Sequence, residues 1–423
     1  MKRREFISAA ALVSLTGCAS MTGKARPHVL VVGGGYGGAS AARYIRMWSE
    51  GSIDVTIVEP EAQFVSCPLS NLVLGGSRQI ADLTMPRDGL ASRYGIRIVR
   101  DSVEAIDAQN RTARLAGGQI LTFDRAILSP GVELLWDGMP GMAKAGAHEA
   151  VLHAWKAGPQ TVALRAQLEA MPDGGVFALA IPLAPYRCPP GPYERACQVA
   201  HYFQKAKPRS KVLILDANDD VVSKGALFKR VWTERYPGMI EYRNNFKTVD
   251  VDAGARTAIS ELDDKVRADV LNLIPPQRAG KIAVQAGLAN ANKRWCEVDF
   301  LSFESTQAKN IHVLGDAIQV APMMPKSAHM ANQHAKVCAA AIVDMFAGGA
   351  PNAAPMLTNT CYSFVSDKDV IHVASVHAYD AAKKTLLAVP GSGGVSTAAA
   401  ELEGVYAMNW ARNIWSDTLA LDA

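Results

Sequence analysis

The sequence of 423 residues holds few cysteines, seven in all, and among them no CxxC pair, no zinc-type spacing and no CxxCH. These absences exclude a thioredoxin-like redox pair, a structural zinc site and a haem attached to this chain. There is also little excess charge. Removing Lys2, Arg3, Arg4, Lys24 and Arg26 from the 44 basic residues, and Glu5 from the 40 acidic ones, leaves the two counts equal. With no basic stripe or aromatic-interleaved basic patch outside the leader, nucleic acid is not an expected partner. What is present is an apolar fraction of 49% against 20% charged residues. That balance fits a packed globular chain of two or three domains and rules out disorder, collagen and coiled coil.

The basic surplus sits in the first 26 residues. Lys2-Arg3-Arg4-Glu5-Phe6 precedes the apolar run Ile7 to Leu15, which falls short of the roughly 20 residues a membrane-spanning helix needs. It reads as a twin-arginine export signal, so the expected location is the periplasm. Leu15-Thr16-Gly17-Cys18 resembles a lipoprotein processing site. Lipid on Cys18 and ordinary cleavage before Pro27 both remain open. An oxidising compartment would let a disulfide persist.

From His28 the pattern is strand, tight turn, helix. The apolar run to Val32 leads into Gly33-Gly34-Gly35-Tyr36-Gly37-Gly38, then Ala39 to Trp48 reads as a helix and Ile53 to Val58 as the next strand. Gly33, Gly35 and Gly38 satisfy GxGxxG, and Glu59 stands where a ribose-binding acid belongs. Glycine is required because backbone N–H groups must approach a pyrophosphate at a helix N-terminus. Two later strand ends, at Gly131 and at Gly315-Asp316, resemble those of flavoproteins with two dinucleotide-binding domains. In that family the aspartate of the Gly-Asp pair accepts hydrogen bonds from the ribityl chain of FAD. A helix beginning near Pro325-Lys326-Ser327 is expected to point its positive end at the flavin, with Lys326 among the cofactor-binding residues.

A second GxGxxG for NAD(P)H is missing. The strand Val176 to Ile181 runs into Pro182-Leu-Ala-Pro-Tyr-Arg-Cys188-Pro-Pro, and prolines remove the N–H donors a phosphate would need. Nicotinamide is therefore not the expected electron partner. The expected fold is α/β: two Rossmann-like, glutathione-reductase-like domains and a smaller C-terminal α+β domain. The boundaries read 1–26 for the leader, 27–145 with 290–347 for the FAD domain, 146–289 for the second Rossmann-like domain and 348–423 for the C-terminal interface domain.

The segments around Cys67 (Phe64 to Asn71), Cys188 and Cys361 (Asn359-Thr-Cys361-Tyr-Ser-Phe) make the resemblance specific. From about residue 27 onward the chain resembles the flavoprotein subunit of flavocytochrome c sulfide dehydrogenase, a relative of the sulfide:quinone oxidoreductases. That resemblance implies FAD bound covalently through Cys67, with simple packing as the alternative for that residue. It implies a redox-active disulfide between Cys188 and Cys361, with Cys361 as the flavin-side sulfur, against a merely structural disulfide. Glu194 matches the family's acid/base position, although a solvated glutamate at a helix start fits the sequence equally well. Trp410 and Trp415 match an aromatic end near the flavin, plain interface packing being preferred for Trp415. Cys197, Cys296 and Cys338 match nothing and read as buried free thiols.

The expected function is a periplasmic FAD-dependent oxidation of sulfide to sulfur or polysulfide, with electrons passed to a c-type cytochrome subunit as a heterodimer. Two competitors stand beside it: a sulfide:quinone oxidoreductase, and an accessory partner that reactivates thiols of a periplasmic sulfur-oxidation complex.

Overall fold

The computed structural model describes residues 26–422, so the expected export signal and Cys18 lie outside the described residues. The first domain is built on β1 (His28–Val32), α1 (Tyr36–Trp48), β2 (Asp54–Val58), β3 (Arg97–Val99), β4 (Arg125–Leu128) and, much later, β5 (Ile311–Val313). In one seven-stranded sheet the order is β5, β4, β1, β2, β3, all parallel, with two short antiparallel strands beyond β5. Strand β1 is central. Val29, Leu30 and Val31 are wholly buried, as expected where helices cover both faces of a parallel sheet.

The second domain repeats the pattern with β6 (Val176–Ile181), α2 (Gly191–Ala206), β7 (Lys211–Asp216), α3 (Gly225–Glu234), β8 (Ile240–Arg243) and β9 (Val270–Leu273), to name those that shape the site. The parallel order is β8, β7, β6, β9. The chain re-enters the first domain earlier than the sequence suggested. Ile282, Ala283 and Leu288 are part of the first core, and Gly280 N–H donates to Gly131 O at 2.9 Å. The boundary therefore falls near 280 rather than 290, because the strand Gln277–Ala279 and the helix Lys281–Gln285 that carry the return are too short to leave a periodic pattern.

Helix α4 (Ala328–Phe346) follows β5. It starts at Ala328, directly after the Pro325-Lys326-Ser327 segment where it was expected, with Ser327 as its cap, the hydroxyl accepting from Met330 N–H at 3.0 Å. The C-terminal segment forms an antiparallel sheet on β10 (Met356–Phe364) and β11 (Val370–Asp380), then ends in α5 (Glu401–Leu419). Phe364, Val370, Ala407 and Ala411 bury themselves with Leu69, Leu72 and Val73 of the first domain. This segment closes over the region where the two Rossmann-like units meet. Among the described residues no helix is long and apolar enough to cross a membrane.

Candidate active site

The turn from β1 to α1 is built for close approach. Gly33 has φ +97°, a conformation side chains rarely adopt, and a β-carbon there would lie 2.5 Å from Ser129 O. At Gly38 a β-carbon would lie 1.9 Å from Gly33 O, so only glycine lets the helix sit against the turn. Gly35 immediately precedes α1, has no capping side chain, and has open space where its β-carbon would point. The unsatisfied N–H groups at that end suit an anion. Glu59, at the end of β2, accepts from Gly34 N–H at 2.7 Å and from Glu61 N–H at 2.9 Å. Arg87 braces this corner, its guanidinium 3.9 Å from Glu59 and bonded to Gly34 O and Glu61 O at 3.1 and 2.7 Å.

Opposite this turn lie Gly131, at φ +64° with open space beside it, and Asp316, directly after β5 and its following residues Leu314 and Gly315. Asp316 Oδ1 is buried without a partner, and burial raises the carboxyl pKa. An orphaned buried acceptor is costly, and a ribityl hydroxyl would satisfy it. Together with the open Gly35 turn, this orphan is the test that FAD passes: the residues present fit the group.

Lys326 departs from expectation. Its ammonium does not extend toward a ligand. It donates to Asp316 O at 2.9 Å and Ile318 O at 2.5 Å and sits 3.6 Å from the centre of the Trp295 ring. Burial pushes it down to about 7. Lys326 thus holds the Gly315-Asp316 turn in shape, which a pattern of residue types could not distinguish from direct cofactor contact.

Cys67 lies between two sets of polar side chains. Arg187 donates to its sulfur at 3.0 Å. On the neighbouring Ser66, the hydroxyl is 2.7 Å from Tyr36 OH, and Trp415 Nε1 donates to both oxygens at 3.1 and 3.0 Å. The C-terminal helix therefore reaches the Cys67 segment through Trp415. Trp410 instead packs against Tyr362 and His329, with ring centres 6.1 and 5.8 Å away.

Cys188 sits in the loop that replaces a nucleotide-binding turn. In the first domain the strand ends at Val32 and the helix starts at Tyr36, whereas here β6 ends at Ile181 and α2 starts only at Gly191. The intervening proline-rich stretch carries Cys188 inward at φ +55°, a left-handed conformation costing a non-glycine residue about 1–2 kcal/mol. Two hydrogen bonds hold it: Cys188 N–H to Lys326 O at 2.8 Å, and Gly191 N–H to Cys188 O at 2.9 Å.

Cys361 comes from β10. The expected disulfide is not formed in this structure, where both residues are free thiols. They are nonetheless neighbours: burial, then Cys361, raises the pKa of Cys188, and burial, with Glu194 adding to it, raises that of Cys361. At Cys361 this rise is opposed by Lys224, then by hydrogen bonding with Asn359 and Ser327.

Glu194 is buried, not solvated. Its two oxygens accept from Phe364 N–H, on the Cys361 strand, at 2.8 Å and from Asn71 Nδ2 at 3.0 Å. Burial is the main cause of its raised pKa, and these two donors oppose it. Arg195, equally buried, binds Asn71 Oδ1 (3.1 Å), Asn272 Oδ1 (2.8 Å) and the carbonyls of His153 and Ala154 (2.9 and 2.7 Å). Cys197, Cys296 and Cys338 are buried free thiols, the first two pushed up to about 12 by burial. The site residues missed in the sequence are Arg87, Arg187, Arg195 and Lys224. Only Arg187 and Arg195, adjacent to Cys188 and Glu194, had any signal.

Two Rossmann-like units, a glycine turn with an orphaned aspartate, and a cysteine loop in place of a second nucleotide turn define a flavoprotein oxidoreductase of the two-dinucleotide-domain class. Comparison with known proteins narrows this. Residues 161–275 match the central-domain model of the sulfide dehydrogenase [flavocytochrome c] flavoprotein chain, and 353–419 match the flavocytochrome c sulphide dehydrogenase flavin-binding model. Residues 27–166 match the pyridine nucleotide-disulphide oxidoreductase model. A sulfide dehydrogenase [flavocytochrome c] flavoprotein chain of Chlorobaculum thiosulfatiphilum is 60% identical over 46 residues, which is 94% of that sequence and 11% of this one. The chain belongs to the flavocytochrome c sulfide dehydrogenase flavoprotein family, which is related to the sulfide:quinone oxidoreductases.

The mitochondrial sulfide:quinone oxidoreductases of Dictyostelium discoideum and Mus musculus are 24% and 22% identical over 68% and 70% of this chain. The match spans 64% and 67% of their own lengths, about two thirds. The sulfide:quinone oxidoreductase structure from Aquifex aeolicus shares the fold, with TM-score 0.73 and 17% identity over 93% of this chain and 91% of that one.

Proposed function

We propose that the protein is a periplasmic FAD-dependent sulfide dehydrogenase, oxidising sulfide to sulfur or polysulfide and delivering electrons singly to a haem c on a separate subunit. One observation carries this reading. Half-buried Cys188 and Cys361, remote in sequence and on different domains, meet in one site with buried Glu194 and Lys224, beside the residues that fit FAD.

Gly33, Gly35, Gly38, Glu59, Gly131 and Asp316 would hold FAD, and Cys67 would attach to it covalently. FAD, when bound, supplies a two-electron acceptor that can return electrons one at a time. The chain's own residues prepare the sulfur chemistry. In the oxidised state Cys188 and Cys361 are joined as a disulfide. Sulfide, as HS⁻, attacks the Cys188 sulfur; a new S–S bond forms there as a persulfide, and the electron pair of the old bond leaves as the Cys361 thiolate. Glu194, with a burial-raised proton affinity, takes the proton that H₂S gives up. Lys326 and the Trp415–Tyr36–Ser66 contacts keep the two ends of the site in register.

Anaerobic mixing of the holoprotein with sulfide, followed by cytochrome c or a soluble quinone, tests the reading. Sulfide must reduce the flavin, and cytochrome c must reoxidise it. A second reading, quinone as acceptor, draws support from the similarity to sulfide:quinone oxidoreductases over about two thirds of this chain. Reoxidation by quinone alone would select it. No flavin reduction by sulfide would leave the accessory thiol-reactivating role.

A further inference from the structure

We propose that Lys224 is the counter-ion of Cys361, a buried positioning residue that stabilises the Cys361 thiolate when the Cys188–Cys361 pair opens and so decides which of the two sulfurs carries the charge. This rests on the pair being redox-active, as proposed above.

Lys224 stands at φ +56° directly before α3 and is buried although it is a lysine. Its ammonium donates to Ser363 Oγ at 2.7 Å, Cys361 O at 3.0 Å and Ile371 O at 3.3 Å. All three acceptors are neutral oxygens on the β10–β11 hairpin. Burying an ammonium among neutral groups is unfavourable, and its pKa falls to about 8 for that reason. The negative groups that act on it are, in order of strength, Cys361 on β10, Glu194 on α2, Cys188 on the proline-rich loop and Glu403 on α5. Glu194 already accepts from Phe364 N–H and Asn71, and Glu403 from Ser396 Oγ, with His372 Nδ1 2.9 Å from it. The remaining anion is the one the chemistry creates.

Strand alternation places Cys361 and Ser363 on the same face of β10, so the ammonium that bonds Ser363 Oγ lies on the face of the Cys361 sulfur. Cys361 is further favoured as the anion by the polar side chains of Asn359 and Ser327, which lower its pKa; the Ser327 hydroxyl donates to Asn359 Oδ1 at 2.7 Å. Cys188 lacks those two contacts: besides burial, Cys361 and Glu194 push it up, and only Arg187 and Lys224 oppose them. When HS⁻ opens the disulfide, the persulfide therefore remains on Cys188 and the electron pair on Cys361. Lys224 keeps its proton throughout, and no other reactant is needed.

The test is alkylation by iodoacetamide of the dithiol-reduced holoprotein across pH, with Cys188 and Cys361 followed separately by peptide mass spectrometry. In the wild type, Cys361 is expected to ionise at lower pH than Cys188. Lys224→Gln is expected to raise the Cys361 midpoint by about one unit, slowing its alkylation about tenfold below the midpoint. Lys224→Arg, which keeps the charge, should hold the midpoint within a few tenths. Cys188 ionising first in the wild type overturns the assignment without any variant. So does an unmoved Cys361 midpoint in folded Lys224→Gln, or a one-unit rise in Lys224→Arg. Flavin reduction by sulfide in the wild type is scored independently, so the sulfide reading and the Lys224 assignment can fail separately.

Discussion

Arg187 donates a hydrogen bond to the sulfur of Cys67 at 3.0 Å, across 120 positions of sequence and from one Rossmann-like unit to the other. The guanidinium thus sets a positive charge against the sulfur that would attach to the flavin. Arg187 also bonds Trp155 O and keeps its charge through attraction to Cys67, Asp316 and Cys188 despite burial.

If Cys67 is the covalent anchor, acid-precipitated holoprotein should stay yellow. Cys67→Ala should release all flavin on precipitation while still purifying with FAD, since Gly33, Gly35, Gly38, Glu59 and Asp316 are untouched. Arg187→Met should slow attachment about tenfold or more, followed as the retained flavin fraction over time. Complete release of FAD from the wild type would remove the covalent role.

NADH and NADPH should not reduce the flavin at useful rates. The stretch between Ile181 and Gly191 carries Pro182, Pro185, Pro189 and Pro190, and it delivers Cys188 where a phosphate cradle would stand. Anaerobic mixing is the measurement, and rapid bleaching of the flavin band by either nucleotide would contradict the expectation.

Cys188→Ser and Cys361→Ser should each abolish sulfide-driven flavin reduction and leave FAD bound. A merely structural disulfide predicts the opposite pattern, a loss of about 2–5 kcal/mol in stability with chemistry retained in the folded fraction. Stopped-flow reduction of each variant beside its urea midpoint separates the two.

Glu194 gives a pH dependence with a definite sign. Its folded-state pKa is raised, so as a base it is lost as pH falls through that raised value. Flavin reduction by sulfide should therefore decline on the acid side at a pH above that of an ordinary glutamate. Glu194→Gln should be slower by about 10²-fold or more and lack that acidic limb. The same shift destabilises the wild-type fold as pH rises from the unfolded pKa to the folded one, because the folded state binds the proton more tightly. A denaturant midpoint with identical pH slopes in wild type and Glu194→Gln would argue against a raised pKa.

How far the sequence could be read depended on the range of the interaction. Gly33, Gly35, Gly38 and Glu59 were legible because a strand, a turn and a helix within one short stretch impose their own spacing. The strand ending at Ile181 was legible as a continuous apolar run for the same reason. The helix start at Ala328 was legible near Pro325-Lys326-Ser327 because a serine cap beside a proline is a local signal. The return at Gly280 was missed because the strand and helix on either side of it are too short to show a period.

The sequence by itself thus determined the two dinucleotide-type units and the missing second phosphate turn, both consequences of local backbone geometry and composition, while the three cysteines worth following were marked by the family resemblance. Only the tertiary structure decided what those residues meet. It buried Glu194 rather than solvating it, turned Lys326 onto carbonyls, set Arg187 on Cys67 and drove Lys224 beneath Cys361. These are contacts between side chains far apart in the chain, and their energetics come from desolvation and proximity, which no local pattern encodes.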